Sequence, residues 1–164
     1  MMNKKTLLGL IILAVWASII FLFSGSNASI STAQTELVIN FLFELAEKNT
    51  FINSFISILS ENHSIFYSIR KLAHLTVFCI LQLISFNILR SNGKSIIKSS
   101  IYSILIVIGY ATFDEIHQYF VPGRSCQITD VFIDTLGGLT GLLMCYITIF
   151  IKRMTKSIFT LFKS

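Results

Sequence analysis

The chain has 164 residues, of which 54% are hydrophobic and only 13% are charged, against about 25% charged residues in an ordinary soluble domain. This composition, with a single proline, excludes a disordered or fibrous protein and predicts an integral membrane protein with room for one compact domain. The net charge of +5 does not indicate nucleic-acid binding, because the basic residues form short clusters beside apolar segments, as topology signals do.

Four apolar segments approach the length at which a helix crosses a membrane. They cover residues 7–23, 72–89, 100–120 and 131–151. The first could instead be a cleaved signal peptide, since SNAS at 26–29 resembles a cleavage site, but its apolar run is longer than in most signal peptides. The sequence therefore predicts an all-α membrane protein, a bundle of about four transmembrane helices in a single domain over residues 1–164.

The distribution of Lys and Arg predicts how these helices are oriented, since basic residues concentrate on the cytoplasmic side. One side carries nine of them, in the N-terminal stub, the loop after residue 89 and the C-terminal tail; the other side carries four. Both termini are therefore expected in the cytoplasm of a multi-pass protein of a bacterial cell membrane. Loop 24–70 and the turn 121–130 are expected outside.

The long outer loop contains two stretches with helical periodicity. In 35–47 the apolar residues Leu37, Val38 and Phe41 recur at helical spacing, with acidic residues on the opposite side, and 50–61 repeats the pattern. These stretches predict amphipathic helices. Such helices could lie in the outer membrane interface or cap the bundle, and we expect packing over the outer mouth of the bundle because the acidic faces disfavour anionic lipid.

Polar residues collect at the outer ends of the last three spans, where a charge at bilayer depth costs about 2.5–3.5 kcal/mol. The set comprises Arg70, Lys71, His74, Asp114, Glu115, His117, Gln118, Arg124, Asp130 and Asp134. Residues from three helices are thus predicted at one membrane depth. Either they form a functional site, or they are a polar network that only holds the helices together.

Helical spacing groups these residues by face. Arg70 and His74 are separated by four residues, as are Asp130 and Asp134, so each pair shares one helix face. Asp130 and Asp134 are also favoured at a helix start by the helix dipole. We expect Arg70 to be paired inward, and Lys71 to be either an interfacial anchor or part of the site.

The same region contains glycines at a predicted turn and in a GxxxG pattern. Gly123 follows Pro122 and suits a tight turn at positive φ, which would place Arg124 on a short rigid segment. Gly137 and Gly141 form a GxxxG pattern that allows close helix approach, which we expect within the bundle rather than in a dimer.

Two stretches, RKLAH at 70–74 and YATFDEIHQYFVPGRSCQITDVFIDTLGGLTG at 110–141, resemble the VanZ-like family of bacterial membrane proteins, and FSGSN at 23–27 resembles the exit of that family's first span. The matching positions are Arg70, Lys71, His74, Asp114, Glu115, Gln118, Gly123, Arg124, Asp130, Asp134 and Gly138. The resemblance implies a small polytopic protein associated with resistance to teicoplanin-type glycopeptides. It implies no particular reaction.

The leading hypothesis is a cell-envelope factor without an established catalytic activity. An outward polar pocket would bind a lipid-linked wall precursor or the glycopeptide, with Arg70 and Arg124 clamping a phosphate or carboxylate. The other ligand-binding candidates are Lys71, Gln118, Asp130 and Asp134.

One alternative is a membrane-embedded hydrolase or transferase. Asp114 or Glu115 would then be the general base, with His74 or His117 as partner. A transporter or channel is a third hypothesis, disfavoured by the lack of an inverted repeat.

The sequence assigns no metal and no cofactor. The spacing of acids and histidines matches no recognised ligand set, and the three cysteines, Cys79, Cys126 and Cys145, show no CxxC spacing. Apart from the lipid bilayer, the expected partners are the envelope ligands named above, with no nucleic acid. The oligomeric state does not follow from the sequence.

Overall fold

The computed structural model describes residues 4–61, 64–124 and 126–161, and they fold into six α-helices. In chain order these are α1 (Lys4–Ser24), α2 (Ala28–Ala46), α3 (Thr50–Glu61), α4 (Ile65–Ser91), α5 (Ile96–Tyr119) and α6 (Ile128–Leu161). The helices α1, α4, α5 and α6 are long and apolar enough to cross a membrane. The predicted fold class is confirmed: this is an all-helical protein with four candidate spans.

Two spans are longer than predicted. The helix α4 begins at Ile65 rather than at residue 72, so Arg70 and Lys71 lie within its second turn rather than before it. The helix α6 continues to Leu161 rather than ending at 151, which makes it about 50 Å long. A hydrocarbon core of about 30 Å leaves its basic C-terminal turns outside the apolar layer. The apolar runs marked the membrane segments but not the helical extensions beyond them.

The helices α4 and α6 run in the same direction and pack closely through the predicted GxxxG glycines. A Cβ atom on Gly137 would collide with the backbone of Leu75, and one on Gly141 would lie 2.5 Å from the carbonyl oxygen of Cys79. Both pairs advance by four residues, so the two helices stay in register over a full turn. The prediction that this pattern acts within the bundle is confirmed.

The first span docks on α4 and α5. The indole nitrogen of Trp16 donates to the carbonyl of Val77 at 2.9 Å, and the hydroxyl of Tyr110 donates to the carbonyl of Ala17 at 2.5 Å. Ile20 enters the buried core beside Phe78. Polar side chains bonded to backbone carbonyls suit a membrane interior, where no water satisfies them.

The helices α2 and α3 confirm the predicted helical stretches, and both pack against α4. On α2 the buried residues are Ser31 and Ile39, whereas Leu37 is 71% exposed and Phe41 59% exposed. The helix α2 thus contacts the bundle but leaves much of its predicted apolar face exposed. Helical periodicity indicates which residues share a face but not which neighbour that face meets.

Candidate functional site at the polar end of the bundle

The predicted polar residues meet at one end of the bundle, where α1 and α5 end and α4 and α6 begin; we call this the polar end. The convergence is a consequence of helix direction: α4 and α6 start there, and the chain reaches it again through α1 and α5. Four of these side chains are 2% exposed or less, namely those of Asp114, Glu115, Gln118 and Asp134. The cations and His74 lie nearer the surface.

The parallel helices α4 and α6 contribute two facing pairs. Lys71 forms an ion pair with Asp130, with both side chains largely buried. One turn deeper, Nδ1 of His74 lies 3.3 Å from Oδ1 of Asp134. The two atoms are not aligned for a hydrogen bond, and neither oxygen of the fully buried Asp134 has a hydrogen-bond partner among the described residues.

Asp114 of α5 faces the same region and is held through one oxygen only. The hydroxyl of Ser24 and the amide of Gln118 both donate to its Oδ2, at 2.8 and 3.0 Å. Its Oδ1 is buried without a hydrogen-bond partner in the part of the chain described. His74, Asp114 and Asp134 each offer an atom, and these atoms lie within 4.8 Å of one another.

Glu115 links α5 to the start of α6. Its Oε2 accepts a hydrogen bond from the backbone N–H of Gln127 at 2.9 Å. Gln127 immediately precedes α6, where backbone N–H groups lack helical partners. This carboxylate therefore serves as a cap for α6, supplied by the preceding span.

Arg124 lies on the predicted turn, with Gly123 at φ +79° as the turn requires. Its guanidinium donates to the carbonyl of Ser26 at 3.3 Å, the hydroxyl of Ser31 at 3.3 Å and the side-chain oxygen of Gln118 at 3.5 Å. All three acceptors are neutral, and no described carboxylate pairs with Arg124. Its charge is therefore not directly compensated.

Two predicted site residues are placed differently from the rest. Arg70 is partly exposed and forms no hydrogen bond or ion pair with the described residues, so none of them supports the expectation that it pairs inward. Lys71, the next residue, takes the inward position instead. His117 stacks on Phe21 of α1 with ring centroids 4.0 Å apart, outside the group formed by His74, Asp114 and Asp134.

Two residues of the network escaped the site prediction. Ser24 is the last residue of α1 and Ser31 lies in the first turn of α2, and residue chemistry alone did not mark either as part of the site. The FSGSN exit at 23–27 was the available signal for Ser24, but no spacing rule connects it to an acid 90 positions away. Ser31 carried no signal.

The site thus has two layers. Buried acids and His74 form an inner layer that could hold a cation or move a proton, and partly exposed arginines form a rim that could contact an anion. A separate cavity between α1 and α5 is lined mainly by apolar residues such as Phe21, Leu22 and Tyr110 and includes none of the inner acids.

Fold and site together define a multi-pass helical membrane protein with an intramembrane polar cluster at one end of its spans. A family model described as VanZ/LLP1 matches residues 9–151, which include every residue of that cluster. The chain belongs to the VanZ/LLP1 family. No curated protein and no solved structure matches it.

Proposed function

We propose that the protein is a bacterial envelope factor that binds an anionic, lipid-linked wall precursor at the polar end and thereby lowers susceptibility to teicoplanin-type glycopeptides. The observation that carries this proposal is the state of Arg124, a partly buried guanidinium whose acceptors among the described residues are all neutral. A guanidinium fixed in place without a carboxylate is suited to bind a phosphate or carboxylate through two parallel hydrogen bonds.

The charges around Arg124 support an anionic ligand. Arg70 is a second cation of the polar end without a described partner, whereas the charge of Lys71 is already compensated by Asp130. The acids Asp114 and Asp134 are fully buried beneath the rim. A ligand arriving at the surface would therefore meet the arginines first.

In the orientation proposed from the distribution of basic residues, this rim faces the outside of the cell. With both termini cytoplasmic, the polar end lies in the outer leaflet, at the level of lipid headgroups. Lipid-linked wall precursors and glycopeptides both occur on that side. The precursor is preferred because its phosphate is anchored at headgroup depth.

The test is teicoplanin susceptibility of a sensitive Gram-positive host that expresses the chain. We expect the parent to raise the inhibitory concentration, and Arg124→Ala and Arg70→Ala to lower it again at equal membrane levels. Arg153→Ala is the matched control, since it removes an exposed arginine from the opposite end of α6. Resistance that persists in Arg124→Ala would contradict the proposal that the arginines of the rim bind the ligand.

A binding assay separates the two ligands. The parent in lipid nanodiscs is titrated with a lipid-linked wall precursor and, separately, with teicoplanin. Precursor binding that weakens at least tenfold in Arg124→Ala supports the proposal. Binding of teicoplanin alone would assign the drug as the ligand.

A second candidate is a membrane-embedded acid–base enzyme acting on the same precursor. The observation that favours it is the contact of His74 with Asp134 beside Asp114, since a carboxylate can orient an imidazole for proton transfer. We expect such an enzyme to convert precursor in proteoliposomes and to lose turnover in Asp114→Asn while still binding it. Binding without turnover in the parent would favour the first function.

A further inference from the structure

We infer that His74, Asp114 and Asp134 form a binding site for one divalent transition-metal cation, Zn²⁺ or Mn²⁺, between α4, α5 and α6. The inference does not depend on the proposed ligand of the rim, because it uses none of the arginines. The two proposals can therefore fail separately.

The spacing of the three side chains suits a shared cation. One atom from each lies within 4.8 Å of the others, and Nδ1 of His74 is 3.3 Å from Oδ1 of Asp134. Two ligands of a tetrahedral metal with bonds of about 2.0–2.2 Å are separated by about 3.3–3.6 Å. Small side-chain rotations would bring Asp114 to the same distance.

Unpartnered oxygen atoms provide the second and independent observation. Asp134 is fully buried and neither of its oxygens has a hydrogen-bond partner among the described residues; Oδ1 of the fully buried Asp114 is likewise without one. A buried carboxylate oxygen without a hydrogen bond is costly. A cation bound at these atoms would compensate both carboxylates at once.

The neighbours of Asp114 fit the role of a supporting shell. Ser24 and Gln118 both donate to Oδ2, which leaves Oδ1 as the oxygen available to a metal. Ligating carboxylates are usually oriented in this way by hydrogen bonds to the other oxygen. The nearby Lys71 does not compete for the acids of the site, because it is paired with Asp130.

The chemistry of the three ligand side chains indicates which class of cation would bind. One imidazole nitrogen with two carboxylates suits Zn²⁺ or Mn²⁺, whereas Ca²⁺ and Mg²⁺ prefer oxygen ligands throughout. Three protein ligands would leave a coordination position for water or for a ligand oxygen.

The experiment uses the full chain, purified in detergent, stripped with a chelator and reloaded separately with Zn²⁺, Mn²⁺, Ca²⁺ or Mg²⁺. We expect one equivalent of Zn²⁺ or Mn²⁺ per chain after desalting, by elemental analysis, with a higher unfolding temperature. Asp134→Asn and His74→Gln should lose the metal, and Ser24→Ala should weaken its affinity by about 10–100-fold.

Glu115→Gln is the matched control, because it neutralises an acid of the polar end that accepts from the Gln127 N–H, lies outside the trio and leaves the Lys71–Asp130 pair intact. It should retain one equivalent. Less than a tenth of an equivalent in the reloaded parent, tighter binding of Ca²⁺ or Mg²⁺, or equal loss in Glu115→Gln would each overturn the inference.

A measurement on the unsubstituted protein keeps the test decisive even if the variants fail to fold. Electron spin-echo spectroscopy of the Mn²⁺-loaded parent should show coupling to one histidine nitrogen. The described histidines are His74 and His117, and the signal should persist in His117→Gln. Mn²⁺ bound without nitrogen coupling would also overturn the inference.

Discussion

At the scale of single residues, the four buried polar side chains of the cluster differ in how well they are satisfied. One oxygen of Glu115 is bound to a backbone N–H and one oxygen of Asp114 to two side-chain donors, whereas Asp134 has no hydrogen bond among the described residues. Unsatisfied buried groups are costly to a fold and are found mainly where function requires them. Glu115 and Asp114 are therefore the buried acids with a structural partner, and Asp134 is the one without a hydrogen bond among the described residues.

The structural role of Glu115 can be tested by two substitutions. Glu115→Gln keeps a side-chain oxygen that can accept from Gln127, so we expect an unfolding temperature close to that of the parent. Glu115→Ala removes the acceptor and should cost about 1–3 kcal/mol. The measurement is thermal unfolding in one detergent, and equal destabilisation by both variants would show that the charge, not the hydrogen bond, matters.

At the scale of helices, the contact between α4 and α6 positions the inner layer. His74 lies one residue before Leu75, and Asp134 lies one turn before Gly137, so the close approach of the backbones brings the two polar side chains together. A bulkier residue at the contact would force the helices apart and separate His74 from Asp134. The glycines of this contact thus determine how close His74 and Asp134 lie, although they are not part of the site.

This coupling predicts a contrast between two glycine substitutions. Gly137→Ala should destabilise the protein by about 1–3 kcal/mol, because the added methyl group meets the Leu75 backbone, which cannot move aside as a side chain would. Gly109→Ala, within α5, is the control, because a methyl group added there would have no atom outside its own stretch of helix within 4 Å. This substitution should be neutral or stabilising, by up to about 1 kcal/mol. Thermal unfolding of both variants decides the point, and equal stabilities would contradict the packing described.

At the scale of the whole molecule, the order of the spans separates a polar end from a basic end. The polar end holds the acids, and the other end holds most of the basic residues, including those on the extended last turns of α6. An excess of Lys and Arg at one end of the spans orients a protein in a membrane. The proposed outward direction of the site therefore depends on the whole chain rather than on the cluster.

Cysteine accessibility tests this orientation. Cys126 is exposed between α5 and α6, whereas Cys145 is buried and Cys79 partly so. We expect a membrane-impermeant maleimide to label Cys126 in intact cells. With Cys126→Ser as the background, Arg153→Cys should be labelled only after permeabilisation. The reverse pattern would place the polar end in the cytoplasm.

The class of protein, the four spans and the end at which the polar residues gather could all be predicted from the amino-acid sequence. Apolar length, helical periodicity and motif spacing are local properties, and the turn at Gly123 and the glycines of α6 follow from backbone sterics at single positions. These features could be predicted without knowing which helices are neighbours.

Which polar residues contact one another became clear from the packing of the helices. It brought Lys71 rather than Arg70 to Asp130, placed Ser24 on Asp114, and gathered His74, Asp114 and Asp134 from three helices. The rotation of each helix about its axis is set by packing against its neighbours, to which residues far apart in the chain contribute. Periodicity defines the faces of a helix, but the partner of each face depends on the other helices of the bundle.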